Sequence, residues 1–202
     1  MYDTLKEVID NYEPTASFQK ELCEDWYNKT NQVPQLKALR DYVEENQFGH
    51  GERPFYWMWY ILAQEMPIKF SFCEVGVYKS QTLVMMDLIA QMQSKTVLRV
   101  GITPLNSEGG HPESDYEADI KTLHEFAGVP MDLHIIKGRS QYPMVMLEAQ
   151  LASGNGYDMA YIDGNHATDE VTLDTLTYLP MIKVGGFLIV DDCCNGWALP
   201  QG

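Results

Sequence analysis

Short apolar runs alternate with helix-length segments from Lys69 to the end of the chain, and this alternation constrains the fold more than any other feature. It predicts successive βαβ units, which build a parallel sheet covered by helices on both faces. The predicted strands are residues 70–75, 96–102, 131–136, 157–162 and 187–190, and the predicted helices are residues 80–93, 113–127, 141–152 and 168–179. The last run is nearly all apolar, which is typical of a strand buried on both faces. We therefore expect an α/β fold with about five parallel strands.

The first third of the chain has a different texture, with helical patterns and no convincing strand. Residues 34–47 place their apolar side chains on one helical face, and residues 52–66 form an aromatic-rich segment with Pro54 near its start. We therefore expect an N-terminal helical extension or lid over residues 1–66, followed by the α/β core over residues 67–202.

Composition and charge exclude several classes of protein. Lysine and arginine total 14 against 29 aspartates and glutamates, giving a net charge of −15, so the basic footprint of a general nucleic-acid binder is missing. No apolar run is long enough to span a bilayer, and the N-terminus lacks the pattern of an export signal. The four cysteines show no paired CxxC spacing, which favours reduced thiols. We expect a cytoplasmic protein with neither nucleic-acid nor membrane partners.

The segment EVGVYKSQT, residues 74–82, carries polar and small residues directly after the first predicted strand. In parallel α/β sheets, ligands bind beyond the carboxyl ends of the strands. A glycine turn that leads into a helix lets backbone N–H groups approach a ligand closely. Glu74 at the strand end suits the positively charged amino-acid part of a cofactor. Taken alone the motif is weak, because many α/β proteins have a glycine at this position.

Three aspartates follow the last two predicted strands. Asp163 lies in YIDGNH, whereas Asp191 and Asp192 close the final strand, and the chain between them has room for one helix and one strand. All three therefore reach the same edge of the sheet on neighbouring strands. Converging carboxylates repel each other unless a cation neutralises them, and Mg²⁺ prefers such oxygen ligands. The competing interpretation is that Asp163 caps a turn while Asp191 and Asp192 are merely solvated.

His166 lies three residues after Asp163, in the turn that enters the next predicted helix. A lone histidine in such a turn is usually a surface or capping residue. Beside a metal site it can instead take a proton from a substrate hydroxyl, because an unperturbed imidazole titrates near neutral pH.

The segment EVGVYKSQT resembles the first cofactor-binding motif of class I S-adenosylmethionine-dependent methyltransferases. The stretch from YDMAYIDGNH to GGFLIVDD resembles the strand–helix–strand end of the same fold. The similarity covers about residues 70–192 and is greatest to small sugar and macrolide O-methyltransferases of the macrocin type and to methyltransferase 24 domains. It implies a Rossmann-like α/β core and metal-assisted transfer of a methyl group to a small hydroxylated acceptor, such as a sugar or natural product.

The resemblance also implies roles for individual residues. The expected cofactor-binding residues are Glu74, Gly76, Tyr78, Ser80, Thr82, Thr103, Arg139, Ser140 and Asp163. The expected Mg²⁺ ligands are Asp163, Asp191 and Asp192, and the expected catalytic pair is Asp163 with His166 as general base.

The sequence departs from the family pattern at several positions. Ser80 stands at the second glycine of the first motif, Thr103 where an acidic residue grips the cofactor ribose, and Arg139 where an aspartate lies near the adenine. The chain also ends soon after Asp192, so we expect the family's closing helix and antiparallel hairpin to be absent. The bared sheet edge then needs cover from the N-terminal helices, from a longer parent protein or from a partner, and we expect a homo-oligomer.

Other interpretations remain open. A hydroxylase-like enzyme on the same fold is one, and a non-catalytic relative, in which Thr103 and Arg139 mark a degenerate cofactor site, is another. A nicotinamide dehydrogenase ranks last because it needs a fuller G-x-G-x-x-G turn. The N-terminal aromatics Tyr56, Trp57 and Trp59, with His50, either close over the acceptor or pack in the core; packing is favoured for each of them. The sequence does not specify the acceptor.

Overall fold

The α/β order expected from the sequence is present in a computed structural model, which describes residues 2–107 and 112–191. The strands are β1 Lys69–Val75, β2 Thr96–Thr103, β3 His134–Lys137, β4 Tyr157–Ile162 and β5 Ile182–Val190. The helices are α1 Leu5–Asp10, α2 Ala16–Gln32, α3 Pro34–Asn46, α4 Arg53–Gln64, α5 Gln81–Met92, α6 Tyr116–Ala127, α7 Pro143–Ser153 and α8 Thr168–Tyr178, with a 3-10 turn at Leu179–Met181.

The five strands form one parallel sheet in the order β3-β2-β1-β4-β5. The chain moves outward from β1 to β3, then returns to the other side of β1 for β4 and β5. The strand order therefore reverses between β1 and β4, which is where open α/β sheets bind their ligands. This topology confirms the Rossmann-like prediction.

The strand register aligns the residues that follow β1, β4 and β5 at one edge of the sheet. Val75 pairs with Ile162 across β1 and β4. The backbone N–H of Asp163 donates to the Val75 carbonyl at 2.8 Å, and that of Asp191 donates to the Ile162 carbonyl at 2.9 Å. The hydrogen-bond ladder thus continues one residue past β4 and β5, and it fixes the backbone positions of Asp163 and Asp191 at this edge.

Apolar side chains of β1 alternate between two buried clusters, one on each face of the sheet. Phe70 and Phe72 join a cluster that contains α3, α4 and α5, whereas Cys73 and Val75 join one that contains α7 and α8. This alternation is the period-two pattern of a strand buried on both faces. Helices α3 and α4 thus share a core with the sheet.

Two predicted strand boundaries were wrong. β5 begins at Ile182 rather than at residue 187, and its pairing with β4 shifts register between Tyr157 and Met159. Gly185 and Gly186 lie inside this irregular strand, where Gly185 adopts a φ of 86°. β3 begins three residues later than predicted, at His134.

β5 forms one of the two outer edges of the sheet, and its residues are half-buried or exposed rather than buried on both faces as predicted. Within residues 112–191, β5 pairs with β4 alone, and its Val184 side chain is fully exposed. The expected oligomer contact at this edge stays a prediction. None of the described helices combines the length and the apolar character that crossing a bilayer requires.

Candidate functional site

A cavity of about 960 Å³ opens at the carboxyl edge of the sheet. It is bounded by the turns that follow β1, β2, β3 and β4 and by the loop that precedes α4. The predicted site residues that line it are Glu74, Gly76, Tyr78, Ser80, Thr82, Thr103, Arg139, Ser140, Asp163, His166 and Asp191. Asp192 lies outside the described residues. The fold thus brings together all the predicted site residues that the structure describes, while their individual roles stay predictions.

The turn after β1 requires glycine at position 76. Gly76 has a φ of 96°, which is a left-handed conformation that L side chains rarely adopt. A Cβ atom there would lie 2.0 Å from the backbone oxygen of Asp163. The glycine therefore lets the turns after β1 and β4 touch, which puts the two predicted halves of the site side by side.

Ser80 adopts a backbone conformation that glycine adopts much more readily than other residues. Its φ of 70° and ψ of 22° are left-handed, and it is the N-cap residue of α5. A non-glycine residue in this region costs about 1–2 kcal/mol. The hydroxyl is buried without a hydrogen-bond partner in the described part of the chain. The turn thus keeps a glycine-like shape at an energetic cost.

Glu74 is a buried carboxylate that faces the cavity. It is 3% exposed, and its Oε2 atom has no hydrogen-bond partner among residues 2–107 and 112–191. Burial, followed by the charge of Asp163, raises the pKa of Glu74 well above its ordinary value, and a hydrogen bond from Thr82 acts in the opposite direction. Within the described residues, no cation is among the groups that shift this pKa. A buried carboxylate in this state favours a positively charged ligand.

Tyr161, on β4, lies between the carboxylates of this edge and was not predicted. Burial raises the pKa of Tyr161, and the charges of Asp163, Asp191 and Glu74 raise it further. An interaction of the Tyr161 hydroxyl with Asp191 raises this pKa as well. Its position two residues before Asp163 is the only signal in the sequence, because alternate residues of a strand share a face.

His166 lies at the mouth of the cavity beside Asp163. Its Nε2 atom is 3.7 Å from Oδ1 of Asp163, and its side chain is 62% exposed. The two groups are therefore close but not within hydrogen-bond distance, and the imidazole is accessible from the cavity.

The predicted metal site is represented by two of its three carboxylates. Asp163 and Asp191 follow neighbouring strands and both line the cavity. Across residues 2–107 and 112–191, no group of three histidine, cysteine, aspartate or glutamate side chains is arranged to hold a metal ion. The third predicted ligand, Asp192, lies outside those ranges, so the Mg²⁺ site stays a prediction.

The turn after β2 shows how threonine fits where the family has an acidic residue. The Thr103 hydroxyl accepts a hydrogen bond from the backbone N–H of Leu105 at 3.2 Å. Thr103 is buried, and Leu105 adopts a positive φ of 50°. The hydroxyl therefore shapes the turn and keeps its own proton for one further hydrogen bond.

The loop after β3 is held by residues of α8 that the sequence analysis missed. The Ser140 hydroxyl donates to Oδ1 of Asp174 at 2.6 Å, and the Tyr178 hydroxyl donates to the Ser140 carbonyl at 2.9 Å. Burial raises the pKa of Asp174, which the hydrogen bonds from Ser140 and Gln141 counteract. The spacing of four residues between Asp174 and Tyr178 was visible in the sequence, but their shared partner was not.

The loop that precedes α4 covers one side of the cavity. The Lys79 ammonium lies 4.9 Å from the ring centroid of Phe48 and forms a salt bridge with Asp119 at 3.1 Å. The His50 ring is 5.2 Å from the Tyr78 ring. These contacts tie the N-terminal part of the chain to the turn after β1.

The N-terminal aromatics divide between the cavity and other contacts. Tyr56 and Trp59 line the cavity while also belonging to the buried core. Trp57 does not line it, because its indole N–H donates to the Tyr2 carbonyl at 3.2 Å and its ring stacks on Tyr60. Trp57 therefore packs against the core, which is the interpretation that the sequence favoured for it.

Comparison with known families adds to this geometry. A family model described as a methyltransferase domain, methyltransferase 24, matches residues 73–193. The match runs from within β1 past the end of β5 and covers more than half of the chain. No curated protein is similar enough to be counted as a match.

Solved structures with the same fold include two O-methyltransferases. One is CalS11, a TDP-rhamnose 3'-O-methyltransferase of calicheamicin biosynthesis, with a TM-score of 0.53 and 14% identity over 90% of this chain and 80% of that one. Another is an O-methyltransferase from Bacillus cereus in complex with SAH, with a TM-score of 0.51 and 10% identity over 92% of this chain and 70% of that one. At such low identity the likeness establishes the fold alone.

Proposed function

The chain belongs to the methyltransferase 24 domain family, and on that premise we propose that it binds S-adenosylmethionine in the cavity and methylates a hydroxyl group of a small acceptor. The single observation that carries the proposal is the buried carboxylate of Glu74, whose Oε2 atom has no partner within the described residues. S-adenosylmethionine brings an ammonium group that would pair with it.

The shape of the cavity supports a cofactor of this size. Its volume of about 960 Å³ lies within the range of about 300–1,000 Å³ typical of small-molecule sites. The Gly76 turn and the N-terminus of α5 present backbone N–H groups at the same edge. Glu74, this turn and Ser80 all line the cavity and would lie against the proposed cofactor.

His166 would act as the general base in the proposed reaction. Its imidazole would take the proton from the acceptor hydroxyl, with the Asp163 carboxylate 3.7 Å away. Holding the oxygen in line with the methyl carbon would supply much of the remaining rate enhancement. Tyr56 and Trp59 line the side of the cavity where an acceptor would pack.

A divalent cation is a separate part of the proposal. Asp163, Asp191 and Asp192 would hold it, and their carboxylate oxygens are the ligands that Mg²⁺ prefers. The charges of Asp163 and Asp191 both act on Tyr161, so negative charge is already concentrated where a cation would sit. When bound, the cation would lower the pKa of an acceptor hydroxyl.

The proposed acceptor is a sugar or a similar hydroxylated compound. The fold similarity to CalS11, which is described as a TDP-rhamnose 3'-O-methyltransferase, supports this class. Lys79 and Arg139 line the cavity and would tolerate an acceptor with negative charge.

Calorimetric titration with S-adenosylhomocysteine, with and without Mg²⁺, tests the proposal. We expect binding by the wild-type chain and at least tenfold weaker binding by Glu74→Gln, which removes the negative charge but keeps the shape. A wild-type chain that binds neither S-adenosylmethionine nor its product would overturn the proposal. Binding of the metal without the cofactor would instead favour the non-catalytic alternative that Thr103 and Arg139 suggest.

The metal is tested independently by thermal unfolding. Mg²⁺ should raise the unfolding temperature of the wild-type chain, and this rise should disappear in Asp163→Ala and Asp191→Ala. If both variants keep the Mg²⁺-dependent stabilisation, these residues do not hold the ion. Asp169→Asn, an exposed carboxylate at the start of α8, is the matched control.

A further inference from the structure

Three side chains of α8 face the loop that follows β3. Glu170, Asp174 and Tyr178 are spaced four residues apart, so they lie on one face of the helix. Asp174 accepts a hydrogen bond from the Ser140 hydroxyl at 2.6 Å, while the Tyr178 hydroxyl donates to the Ser140 carbonyl at 2.9 Å. The side-chain hydroxyl and the backbone carbonyl of Ser140 are thus both held by α8.

The next residue of the loop is held in the same way. The Gln141 amide nitrogen donates to Oε2 of Glu170 at 2.6 Å and to Oδ1 of Asp174 at 3.3 Å. Two consecutive loop residues therefore share the Asp174 carboxylate. A loop with this many hydrogen bonds to one helix has little freedom to move.

Asp174 also lies against the turn after β4. A Cβ atom added to Gly164 would lie 3.5 Å from Oδ2 of Asp174, so this carboxylate stands between two turns that line the cavity. Asp174 is only 2% exposed. Because burying a carboxylate is costly, an apolar side chain would fill the space more cheaply if packing were the only requirement.

The loop occupies a defined place along the carboxyl edge of the sheet. β3 lies two strands from β1, which is about 10 Å in a parallel sheet. A cofactor whose ammonium group pairs with Glu74 on β1 therefore reaches this loop with its opposite, nucleoside end.

We propose that Asp174 is a positioning residue that fixes the loop of residues 138–141 in the conformation that binds the nucleoside end of the cofactor. Asp174 acts through Ser140 and Gln141 rather than by touching the methyl group. This inference rests on the proposed function, because it presupposes that the cofactor enters the cavity.

Calorimetry with two probes tests the inference at 25 °C, well below the unfolding midpoint of each variant. S-adenosylhomocysteine contains both ends of the cofactor, whereas 5′-methylthioadenosine lacks the amino-acid end. Asp174→Ala should raise the Kd of both probes about tenfold, because it removes the hydrogen bonds that hold the loop. Glu74→Gln should weaken S-adenosylhomocysteine alone.

Further variants separate positioning from general destabilisation. Asp174→Asn should restore most of the affinity, because its amide oxygen still accepts the Ser140 hydroxyl. Ser140→Ala removes the Ser140–Asp174 hydrogen bond from the loop side. This variant replaces Asp174→Ala in the experiment if Asp174→Ala does not fold. The double variant Asp174→Ala/Ser140→Ala should bind the probes no more weakly than the weaker-binding of the two single variants, since both changes break the same contact.

Asp87→Asn is the matched control, because Asp87 is a buried carboxylate that does not line the cavity. The substitution alters the ion pair with Arg99 outside the cavity and should leave both Kd values within about twofold of the wild type. The inference is overturned if Asp174→Ala binds both probes as tightly as a binding-competent wild type. It is also overturned if the effects of Asp174→Ala and Ser140→Ala simply add. A wild type that binds neither probe would instead refute the proposed function.

Discussion

Two regions of the molecule bury acidic side chains, and they differ in whether a cation lies beside the buried carboxylate. Around β2, the Arg99 guanidinium lies 2.9 Å from Asp87 and 2.6 Å from Asp132, and its NH1 atom is 3.0 Å from Nε2 of His124. At the cavity, Glu74 is equally buried, yet within the described residues no cation is among the groups that shift its pKa. None of the Arg99 cluster lines the cavity. Burial raises the pKa of Asp87 too, but the Arg99 charge acts against that rise. We therefore propose that the charges around Arg99 support the fold, whereas the Glu74 carboxylate is available to a ligand.

The contrast extends to energetics. A buried ion pair contributes little net stability, but removing one partner is expensive because it strands the other charge. An uncompensated carboxylate is already stranded, so removing its charge should stabilise the chain and impair binding. Opposite signs for equivalent substitutions are therefore the signature of the difference between the two regions.

The largest expected effect is that of Arg99→Met. Arg99 is fully buried and also donates to the Pro130 carbonyl at 2.8 Å, so its loss strands Asp87 in the interior. We expect the free energy of unfolding to fall by about 3–5 kcal/mol in chemical denaturation. The folded variant should still bind S-adenosylhomocysteine with a Kd close to the wild-type value.

Lys183→Met provides the control for this substitution. Its ammonium contacts Asp158 at 2.8 Å, but the Lys183 side chain is partly exposed, so the expected loss is about 1 kcal/mol or less. If Arg99→Met destabilises the chain no more than Lys183→Met does, the buried ion pairs of Arg99 contribute no more to the fold than a partly exposed ion pair does.

Glu74→Gln should change the stability of the chain in the opposite direction to Arg99→Met. Removing a buried charge should raise the free energy of unfolding by about 1–3 kcal/mol at pH 7, while weakening S-adenosylhomocysteine binding. Denaturant unfolding and calorimetry on the same variant measure the two effects together. A variant that is less stable than the wild type would contradict the claim that this carboxylate is uncompensated.

Asp158→Asn is the control for Glu74→Gln, since it makes the same acid-to-amide change on the neighbouring strand β4. Burial alone would raise the pKa of Asp158, but hydrogen bonds from Lys183 and Ser71 bring it below its ordinary value. Asp158 thus stabilises the fold in its charged form. We expect this variant to lose about 1–2 kcal/mol and to keep its affinity for S-adenosylhomocysteine.

Much of the cavity edge could be predicted from the sequence. The alternation of apolar runs and helical segments fixes which residues follow each strand, so Glu74 and Asp163 could be placed together without coordinates. Likewise, the unusual Ser80 was identified because a motif expects glycine there. In both cases the signal is local.

Long-range contacts could not be predicted in this way. Asp174 and Ser140 are 34 residues apart, and nothing in either segment indicates that the other is its partner. Arg99 looks like an ordinary polar residue within an apolar run, although it joins β2 to the helices α5 and α6. The start of β5 at Ile182 could not be predicted either, because glycines such as Gly185 and Gly186 occur in turns as well as in strand bulges.

The two regions should also respond to pH with opposite signs. Burial lowers the pKa of His124, so the unfolded chain takes up a proton first and stability falls as the pH drops below about 6.5. The pKa of Glu74 is raised by burial, so the folded chain takes up its proton first and stability rises as the pH drops toward about 4.5.

Unfolding measured between pH 8 and pH 4.5 in His124→Gln and Glu74→Gln separates these contributions. The wild type should lose stability relative to His124→Gln between pH 7 and pH 5, because the pKa of His124 is lowered in the folded chain. The stabilising effect of Glu74→Gln should shrink over the same range. Parallel pH profiles for the two variants would contradict the claim that the two regions respond to pH in opposite directions.

The smallest expected effect concerns the strained serine of the cavity turn. Ser80→Gly removes a left-handed serine with a φ of 70°, but it also increases the entropy of the unfolded chain, so we expect a net gain of about 0.5 kcal/mol in unfolding free energy. Ser94→Gly is the matched control, because Ser94 has a φ of 56° and does not line the cavity. If backbone N–H groups bind the cofactor, both variants should bind S-adenosylhomocysteine as the wild type does. A tenfold loss confined to Ser80→Gly would show that the buried hydroxyl, like the Glu74 carboxylate, is left unpartnered for the ligand.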